Sequence, residues 1–276
     1  MITINNLSFA YKKQKPLFNE LSLNERTGQI IGLLGKNGAG KTTLLQLISG
    51  LLTPKSGQID INGLNPINHA PVLLEQIYFV PEEFIMPSVK MHSYVNGYAS
   101  FYPRFDKALF NELIKQFELD ENKNLSKMSH GQKKKFRIAF ALASKCQLIV
   151  LDEPTNGLDI PSKAIFRQMV AGALEDDQTV IISTHQVKDV ETLIDKILLI
   201  DNGQIIFDES IINLSERYNF KIVSHLPEHT LYSELNPMGY KVLTPSDGET
   251  SEVDIELLFN AINDGVKFNN EKPNHE

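Results

Sequence analysis

Apolar residues follow two alternating patterns along the chain. Short continuous apolar runs at 29–34, 148–151 and 179–182 are typical of strands buried in a parallel sheet. Between them, apolar residues recur at helical spacing from Leu44 to Leu51 and again over 105–119. Strands that alternate with helices predict an α/β fold with a mainly parallel sheet.

The segments around this core depart from the parallel pattern. Residues 2–9 and 17–23 alternate apolar and polar positions, which predicts an antiparallel β group near the N-terminus. Between about 83 and 145 the periodicity is helical, which predicts a helical subdomain. Asp201-Asn-Gly between two apolar runs predicts a β-hairpin.

The pattern changes again after residue 215. Short strands are predicted at 218–223 and 239–243 and an amphipathic helix at 254–262, with prolines marking the turns. We therefore expect a main domain at 1–215, a small α+β appendage at 216–266 and a disordered tail at 267–276.

Charge is distributed unevenly over the 276 residues. The net charge is −7, and 11 acidic against 5 basic residues lie from Glu216 onward, so the main domain is nearly neutral. Nucleic-acid binding usually needs a basic surface, so we expect no nucleic-acid partner. The one basic cluster, Lys133-Lys134-Lys135, lies on a predicted helix and is interpreted as a solvated face.

Cysteine content and hydropathy bound the compartment. A single cysteine, Cys146, excludes a disulfide within the chain and fits a reducing environment. No apolar run approaches the ~18–20 residues that cross a bilayer, and the N-terminus lacks the features of a signal peptide. We expect a chain that neither enters the membrane nor is secreted by that route.

A phosphate-binding loop lies between the first buried strand and the first helix. The stretch 35–42 matches G-x-x-x-x-G-K-[ST] in the strand–loop–helix context that the motif requires. The glycines let backbone N–H groups face phosphate oxygens, and the helix N-terminus adds positive potential. The residues expected to hold the nucleotide are Gly35, Asn37, Gly38, Ala39, Gly40, Lys41, Thr42 and Thr43.

Two carboxylates end the buried strand at 148–151. Asp152 and Glu153 follow it at the strand end where ligands of open α/β sheets bind. Successive residues point in different directions, so one carboxylate can serve a metal while the other faces an attacking water. We interpret Asp152, with the Thr42 hydroxyl, as a Mg²⁺ ligand and Glu153 as the general base or the group that orients the attacking water. Each assignment competes with a polar turn of no catalytic role.

Further motifs follow in a fixed order. The stretch 128–132, Met-Ser-His-Gly-Gln, precedes a helix ahead of Asp152; Asp159 closes the stretch that begins at Pro154, and His185 follows a strand. Together with the phosphate loop, these motifs resemble those of the ATP-binding subunit of an exporter-type ABC transporter. The resemblance covers about 2–215 and implies an ATPase with a P-loop NTPase core, ATP as nucleotide and Mg²⁺ as cofactor.

The resemblance also implies a role for each matching residue. It implies that Ser129 and Gly131 contact the γ-phosphate held by an opposing subunit. It also implies that His185 contacts the γ-phosphate bound by its own chain. Isolated from the other motifs, Ser129 and Gly131 would be a helix cap and a turn, and Tyr11, which resembles the adenine-stacking residue, would be a packing residue. The remaining residues matched to the nucleotide site are Gln132 and Asp159.

The same resemblance implies an assembly. Two ATP-binding subunits, identical or different, would join head to tail around ATP, and separately encoded transmembrane permease subunits would carry the substrate. Such a subunit would be cytoplasmic and peripheral on the inner face of the membrane. A soluble ABC ATPase without a transport role and a nucleotide-switched scaffold remain alternatives.

Two positions depart from the family pattern. Glu82 follows an apolar strand where the family usually has glutamine, and its carboxylate is expected to ligate Mg²⁺ through oxygen. The stretch 128–132 resembles the signature sequence of the family, and His130 stands where that signature usually has glycine, which adds bulk and a titratable group at the shared site.

Overall fold

A six-stranded sheet forms the centre of the main unit. The computed structural model describes residues 1–249 and 251–268, and these separate into two compact units, residues 1–208 and the segment from Glu209 onward. The central sheet has the order β5-β6-β7-β3-β8-β9. Its strands are β3 (Ile30–Leu34), β5 (Ile77–Val80), β6 (Leu148–Asp152), β7 (Thr179–Thr184), β8 (Lys196–Asp201) and β9 (Gln204–Ser210).

The order of the parallel strands determines which loops meet. Strands β5, β6, β7, β3 and β8 run parallel, so their carboxyl ends lie at one edge of the sheet. The register pairs Asp152 with Ser183 and Leu34 with Thr184. The loop after β3 therefore lies close to the ends of β6 and β7, and the predicted mainly parallel sheet is confirmed.

The predicted hairpin joins β8 to β9. Asn202 and Gly203 both have positive φ, 46° and 74°, as a two-residue hairpin turn requires. A Cβ at position 203 would lie 1.6 Å from the carbonyl oxygen of Leu17, so only glycine fits this close approach.

The antiparallel group near the N-terminus is a three-stranded sheet with the order β2-β1-β4. Its strands are β1 (Ile2–Phe9), β2 (Phe18–Glu25) and β4 (Ser56–Ile61). The sequence analysis missed β4, because only Ile59 and Ile61 of that strand are buried apolar residues and its first three residues are exposed. That alternation is too short to be recognised without its partner strand.

Six α-helices accompany the two sheets of the main unit, and three of them lie in the predicted helical segment. Within this segment the ring of Phe140 packs against those of Tyr94 and Phe110 at centroid separations of 5.6 and 6.2 Å, and it also contacts Tyr78 on β5 at 5.5 Å. No helix of the described chain is long and apolar enough to cross a membrane. The helices are α1 (Lys41–Ile48), α2 (Pro71–Leu74), α3 (Met91–Tyr98), α4 (Lys107–Gln116), α5 (His130–Ala143) and α6 (Ile160–Ala173).

The interpretation of Lys133-Lys134-Lys135 as a solvated face is wrong for its middle residue. Lys134 is fully buried on α5, whereas Lys133 and Lys135 are partly exposed. The helical period turns the middle of three consecutive residues toward the core while its neighbours lie at the rim. A run of like charges does not reveal this, because a buried lysine depends on acceptors that come from other segments.

The second unit is a small α+β assembly. Helix α7 (Ile211–Arg217) leads into a sheet of order β10-β12-β11, followed by α8 (Ile255–Asn263). Strand β11 was not predicted, since Tyr-Ser-Glu-Leu-Asn has few apolar residues and none is buried. Of the tail predicted at 267–276, residues 269–276 lie outside the described residues. The strands are β10 (Tyr218–Val223), β11 (Tyr232–Asn236) and β12 (Gly239–Pro245).

A buried ion pair connects the two sheets of the main unit. Lys196 at the start of β8 places its Nζ 2.8 Å from both carboxylate oxygens of Glu25, the last residue of β2. Glu25 is 1% exposed, and Gln29 donates a further hydrogen bond of 2.8 Å to it. Burial raises the pKa of the Glu25 carboxyl, and Lys196 opposes that rise.

Replacement of Lys196 by methionine should destabilise the main unit by about 3–5 kcal/mol, because a buried carboxylate would lose its cation. The loss should be larger at pH 8 than at pH 5. Without Lys196, the rise in the pKa of the Glu25 carboxyl is unopposed. A carboxyl whose pKa is raised by folding stabilises the fold while it is protonated, and this contribution disappears as the pH rises through the raised pKa. Urea unfolding at the two pH values measures both effects.

The matched control is Lys55→Met, which removes an exposed lysine of the same unit. Adding Glu25→Gln to Lys196→Met should recover part of the lost stability. Equal unfolding midpoints for the Lys196 and Lys55 variants would contradict the proposed contribution of the pair.

Candidate functional site

The phosphate loop joins β3 to α1. Gly38 and Gly40 have φ of 82° and 108°, in the region that glycine adopts without strain, and α1 begins directly afterwards at Lys41. A Cβ at position 40 would lie 2.8 Å from the ring of Phe18, so glycine is also required for packing. The result is a loop whose backbone N–H groups and helix N-terminus can surround an anion.

Lys41 places its ammonium group inside this loop. The side chain is 7% exposed, and Nζ donates to the carbonyl oxygen of Gly35 at 2.8 Å and of Lys36 at 3.4 Å. The same nitrogen lies 3.6 Å from Oε1 of Glu153. A buried ammonium held by carbonyls beside one carboxylate is a suitable partner for an anionic phosphate group.

Asp152 joins the phosphate loop to two strands. Its Oδ2 accepts a hydrogen bond of 2.8 Å from the Thr42 hydroxyl, and its Oδ1 accepts one of 2.5 Å from the Ser183 hydroxyl. Asp152 is 1% exposed. Sequence reasoning found Asp152 and Thr42 but missed Ser183, although a polar residue at the end of the apolar run 179–182 was the available signal.

Glu153 lies next to Asp152 in an unusual backbone conformation. Its φ is 46°, a region that non-glycine residues rarely adopt. Its N–H donates to the carbonyl oxygen and the hydroxyl of Ser183 at 3.1 and 3.0 Å, while Oε1 lies 2.9 Å from Nδ1 of His185. The predicted base and the predicted histidine are therefore in direct contact beside Lys41.

An open cavity of about 840 Å³ lies in front of these groups. Of the residues predicted for the nucleotide site, those that line it come from the phosphate loop, the ends of β5, β6 and β7 and the segment after β1. They are Tyr11, Asn37, Gly38, Gly40, Lys41, Thr42, Thr43, Glu82, Glu153 and His185. Gly35 and Ala39 belong to the loop itself without lining the cavity, and Asn156 lines it although the sequence analysis did not select it.

Tyr11 makes the packing contact that the sequence left open, and it also lines the cavity. Its ring packs edge to face on Phe9 at a centroid separation of 5.0 Å, and its hydroxyl lies 2.9 Å from the Thr43 hydroxyl. The residue nevertheless stays 39% exposed at the rim of the cavity. Packing thus orients a ring that remains accessible for stacking on a base.

The oxygens at the carboxyl edge of the sheet suit Mg²⁺. Thr42 and Asp152 are in contact, and Glu82, whose Oε1 accepts a hydrogen bond of 2.8 Å from Asn156, lines the same cavity as Thr42. Within 1–249 and 251–268, no group of three His, Cys, Asp or Glu side chains is placed to hold a metal. A Mg²⁺ ion here would depend on nucleotide phosphates and water for its other ligands, which is the usual way in which this ion binds.

The signature residues lie outside the cavity and cap a helix. Ser129 precedes α5, its Oγ accepts from the Gln132 N–H at 3.2 Å, and the Gln132 side chain accepts from the Ser129 N–H at 3.2 Å. This capping box leaves the hydroxyl hydrogen of Ser129 available for an external acceptor. A Cβ on Gly131 would be 3.3 Å from the carbonyl oxygen of Gly157, so the signature lies against the loop that leads to Asp159.

Asp159 and His130 also have local partners. Asp159 caps α6 by accepting a hydrogen bond of 2.9 Å from the N–H of Ser162. Hydrogen bonding from the Ser162 side chain, and after it from this N–H, lowers the pKa of the Asp159 carboxyl. The ring of His130 stacks on Phe84 at a centroid separation of 5.9 Å, and the Arg137 guanidinium lies 4.9 Å from the centroid of the Phe84 ring. The imidazole that replaces the usual glycine therefore packs on the loop after β5.

Comparison with known proteins assigns the motifs to a family. A family model described as "ABC transporter" matches residues 18–156. The ATP-binding protein YtrB of Bacillus subtilis is 31% identical over 79% of this chain and 75% of its own length. The bacitracin transport ATP-binding protein BcrA of Bacillus licheniformis is 33% identical over 79% of this chain and 72% of its own length.

Other matches differ in the direction of transport that their names state. A molybdate import ATP-binding protein of Haemophilus influenzae is 29% identical over 82% of this chain and 88% of its length. A Nod factor export ATP-binding protein of Neorhizobium galegae is 30% identical over 74% and 60%. Among solved structures, a dimeric ATP-binding cassette bound to ADP and Pi superposes with a TM-score of 0.67 at 24% identity, over 76% of this chain and 98% of that one.

Replacement of Lys41 by alanine should weaken ATP binding by about 100-fold, or roughly 2.7 kcal/mol, because the site would lose its buried ammonium group. Titration with ATP, followed by calorimetry, measures the change. Lys55→Ala, which removes an exposed lysine, is the matched control. Binding by Lys41→Ala within twofold of the unmodified protein would refute the assignment of this residue.

Proposed function

Because this chain belongs to the ABC transporter family as an ATP-binding, ATP-hydrolysing subunit, we propose that it is the motor subunit of a transporter. One observation carries the catalytic part of this proposal. The Glu153 carboxylate, fixed by His185 at 2.9 Å and 3.6 Å from the Lys41 ammonium, lies at the same sheet edge as the phosphate loop. A carboxylate in that position can accept a proton from water that attacks a bound γ-phosphate.

Each residue has a separate part in the proposed hydrolysis. The phosphate loop and Lys41 bind the triphosphate, and the proton of the attacking water goes to the Glu153 carboxylate as the bond to the β–γ bridging oxygen breaks, leaving ADP and phosphate. His185 holds the Glu153 carboxylate through Nδ1, and its second ring nitrogen, Nε2, lies on the other side of the imidazole ring. When bound, Mg²⁺ supplies charge neutralisation for the phosphates, and Thr42, Asp152 and Glu82 would hold it.

We further propose that the complete site is shared between two subunits. Ser129 and Gly131 lie outside the cavity that contains Lys41. We therefore propose that they contact the γ-phosphate of an ATP molecule bound by a second chain. The hydroxyl hydrogen of Ser129 is free for such a contact, since only its oxygen is used in the helix cap. The homologous cassette bound to ADP and Pi is itself dimeric.

The proposed work of the dimer is transport through separately encoded membrane subunits. The described chain offers no membrane-spanning helix. On its resemblance to ATP-binding subunits of ABC transporters, we propose a peripheral position on the inner face of the membrane. Export is the direction that we propose, on the resemblance of Glu82 and of the C-terminal unit to exporter-type subunits. Co-purification with a multi-span membrane protein would support transport over the alternative of a soluble ATPase.

Replacement of Glu153 by glutamine should separate ATP binding from hydrolysis. The amide keeps the shape of the carboxylate but removes the base, so turnover should fall by about 100-fold or more, while ATP binding persists. A closed dimer should accumulate with ATP and not with ADP, because ATP would still bridge two subunits. Size-exclusion chromatography with light scattering, with each nucleotide, measures the association.

A second substitution, Ser129→Arg, tests the shared site in the Glu153→Gln background. Its bulk at the γ-phosphate contact should abolish the ATP-dependent dimer and leave ATP binding by the single chain unchanged. Turnover of Glu153→Gln at the normal rate would refute the base. A dimer that tolerates Ser129→Arg, in the presence of the membrane partner if one is required, would refute the shared site.

Glu82→Gln should keep hydrolysis within about tenfold of the unmodified rate, a change of roughly 1.4 kcal/mol in the barrier. Glutamine retains one oxygen for Mg²⁺ and for the hydrogen bond from Asn156. Steady-state ATPase assays across a range of Mg²⁺ concentrations measure the change. A loss as large as that of Glu153→Gln would show that Glu82 acts more directly in the reaction.

A further inference from the structure

The buried side chain of Lys134 contacts the loop that carries Glu153. Lys134 is 0% exposed, although lysine is among the residues that are rarely buried without a partner. Its Nζ donates to the carbonyl oxygens of Glu153 and Asn156, at 2.8 and 2.9 Å. These carbonyls are neutral, so the hydrogen bonds place the ammonium group without neutralising it.

The charge of Lys134 is balanced at longer range. Burial lowers the pKa of this lysine, and the carboxylates of Glu82, Glu153 and Asp152 oppose that effect, with Glu82 the strongest of the three. All three carboxylates belong to the proposed hydrolytic site. The lysine therefore reduces the electrostatic repulsion between these three carboxylates and a triphosphate beside them.

The first hydrogen bond stabilises an unfavourable backbone. Glu153 has positive φ, and its N–H is already fixed by Ser183 on β7. Lys134 fixes the carbonyl on the other side of the same residue. With the two peptide groups held from two different elements, the Glu153 side chain has one direction in which to leave the backbone.

The second hydrogen bond extends the connection to Glu82. Asn156 accepts from Lys134 through its backbone carbonyl and donates from its side chain to Oε1 of Glu82 at 2.8 Å. The lysine on α5 thus holds both carboxylate-bearing segments, the loop after β6 directly and the loop after β5 through Asn156. Helix α5 is also the helix that Ser129 caps.

On the premise that Glu153 is the base, we propose that Lys134 is a positioning residue for hydrolysis. Its ammonium group fixes the loop from Glu153 to Asn156, and its charge compensates for the carboxylate of Glu82. Lys134 does not line the cavity that contains Lys41 and the phosphate loop. Its loss should therefore lower the rate of hydrolysis without lowering affinity for ATP.

The test replaces Lys134 by methionine, which fills a similar volume without hydrogen-bond donors or charge. We expect kcat to fall by about 100-fold, the scale of a displacement of about 1 Å of a catalytic group, with the ATP dissociation constant within about threefold of the unmodified value. Adding Glu82→Gln to Lys134→Met should restore about tenfold of the lost rate, because it removes the carboxylate that the lysine compensates. In a chain that keeps Lys134, Glu82→Gln should not raise the rate of hydrolysis.

Lys133→Met is the matched control, a lysine on the same helix that is partly exposed; it should keep the normal kcat and dissociation constant. A normal kcat in Lys134→Met would overturn the proposal, as would equal losses of ATP binding and kcat. If Lys134→Met does not fold, Lys134→Gln keeps a donor without the charge. Failure of both variants to fold would show a purely structural role and would also overturn the proposal.

The same assays keep this inference separate from the proposed function. If Glu153→Gln hydrolyses ATP normally, the premise itself fails, whatever the Lys134 variants do. If Glu153→Gln is inactive while Lys134→Met retains full kcat, only the positioning role fails. A rate in Lys134→Met that Glu82→Gln does not improve would refute the charge compensation alone.

Discussion

The hydrogen bonds to Asp152 are the interaction on which the site depends. Its two carboxylate oxygens accept from Thr42, at the start of α1, and from Ser183, at the end of β7. A fully buried carboxylate needs such donors, because an unpaired charge in this position would cost several kcal/mol. The phosphate loop, the oxygens proposed to ligate Mg²⁺ and the proposed base therefore share one support.

The buried charges around this support differ in how they are held. Lys41 and Lys134 both donate to backbone carbonyls, yet Lys41 lines the cavity and Lys134 does not. A cation that lines the cavity can donate to an arriving phosphate instead of to the backbone carbonyls. A cation that does not line it can only hold the backbone of the loop after β6 in place. Glu153 lies between the two, with its carboxylate near Lys41 and its carbonyl accepting a hydrogen bond from Lys134. The lysine proposed to bind phosphate and the lysine proposed to position the loop therefore contact the two ends of the same residue.

Helix caps explain how residues outside the cavity can still serve a nucleotide. Ser129 and Asp159 cap α5 and α6, which fixes the directions in which these exposed loops point. The hydroxyl hydrogen that capping leaves free on Ser129 gives the loop a donor. A local structural role and a contact with a second subunit are therefore compatible in the same residue, and neither reading of the sequence excluded the other.

The sequence by itself determined the family, the parallel core, the phosphate loop and the residues Asp152, Glu153 and His185, because these signals are local: a buried strand, a glycine pattern and the polar residues that follow directly. The strands β4 and β11 escaped it, since each is recognisable only beside its partner. Tertiary structure alone decided the burial of Lys134 and the parts of Ser183 and Asn156. Ser183 lies 31 residues from the carboxylate that it supports, and the acceptors of Lys134 lie 19 and 22 residues away. Such contacts arise from the crossing of separate strands and helices, and no periodicity within one segment records them.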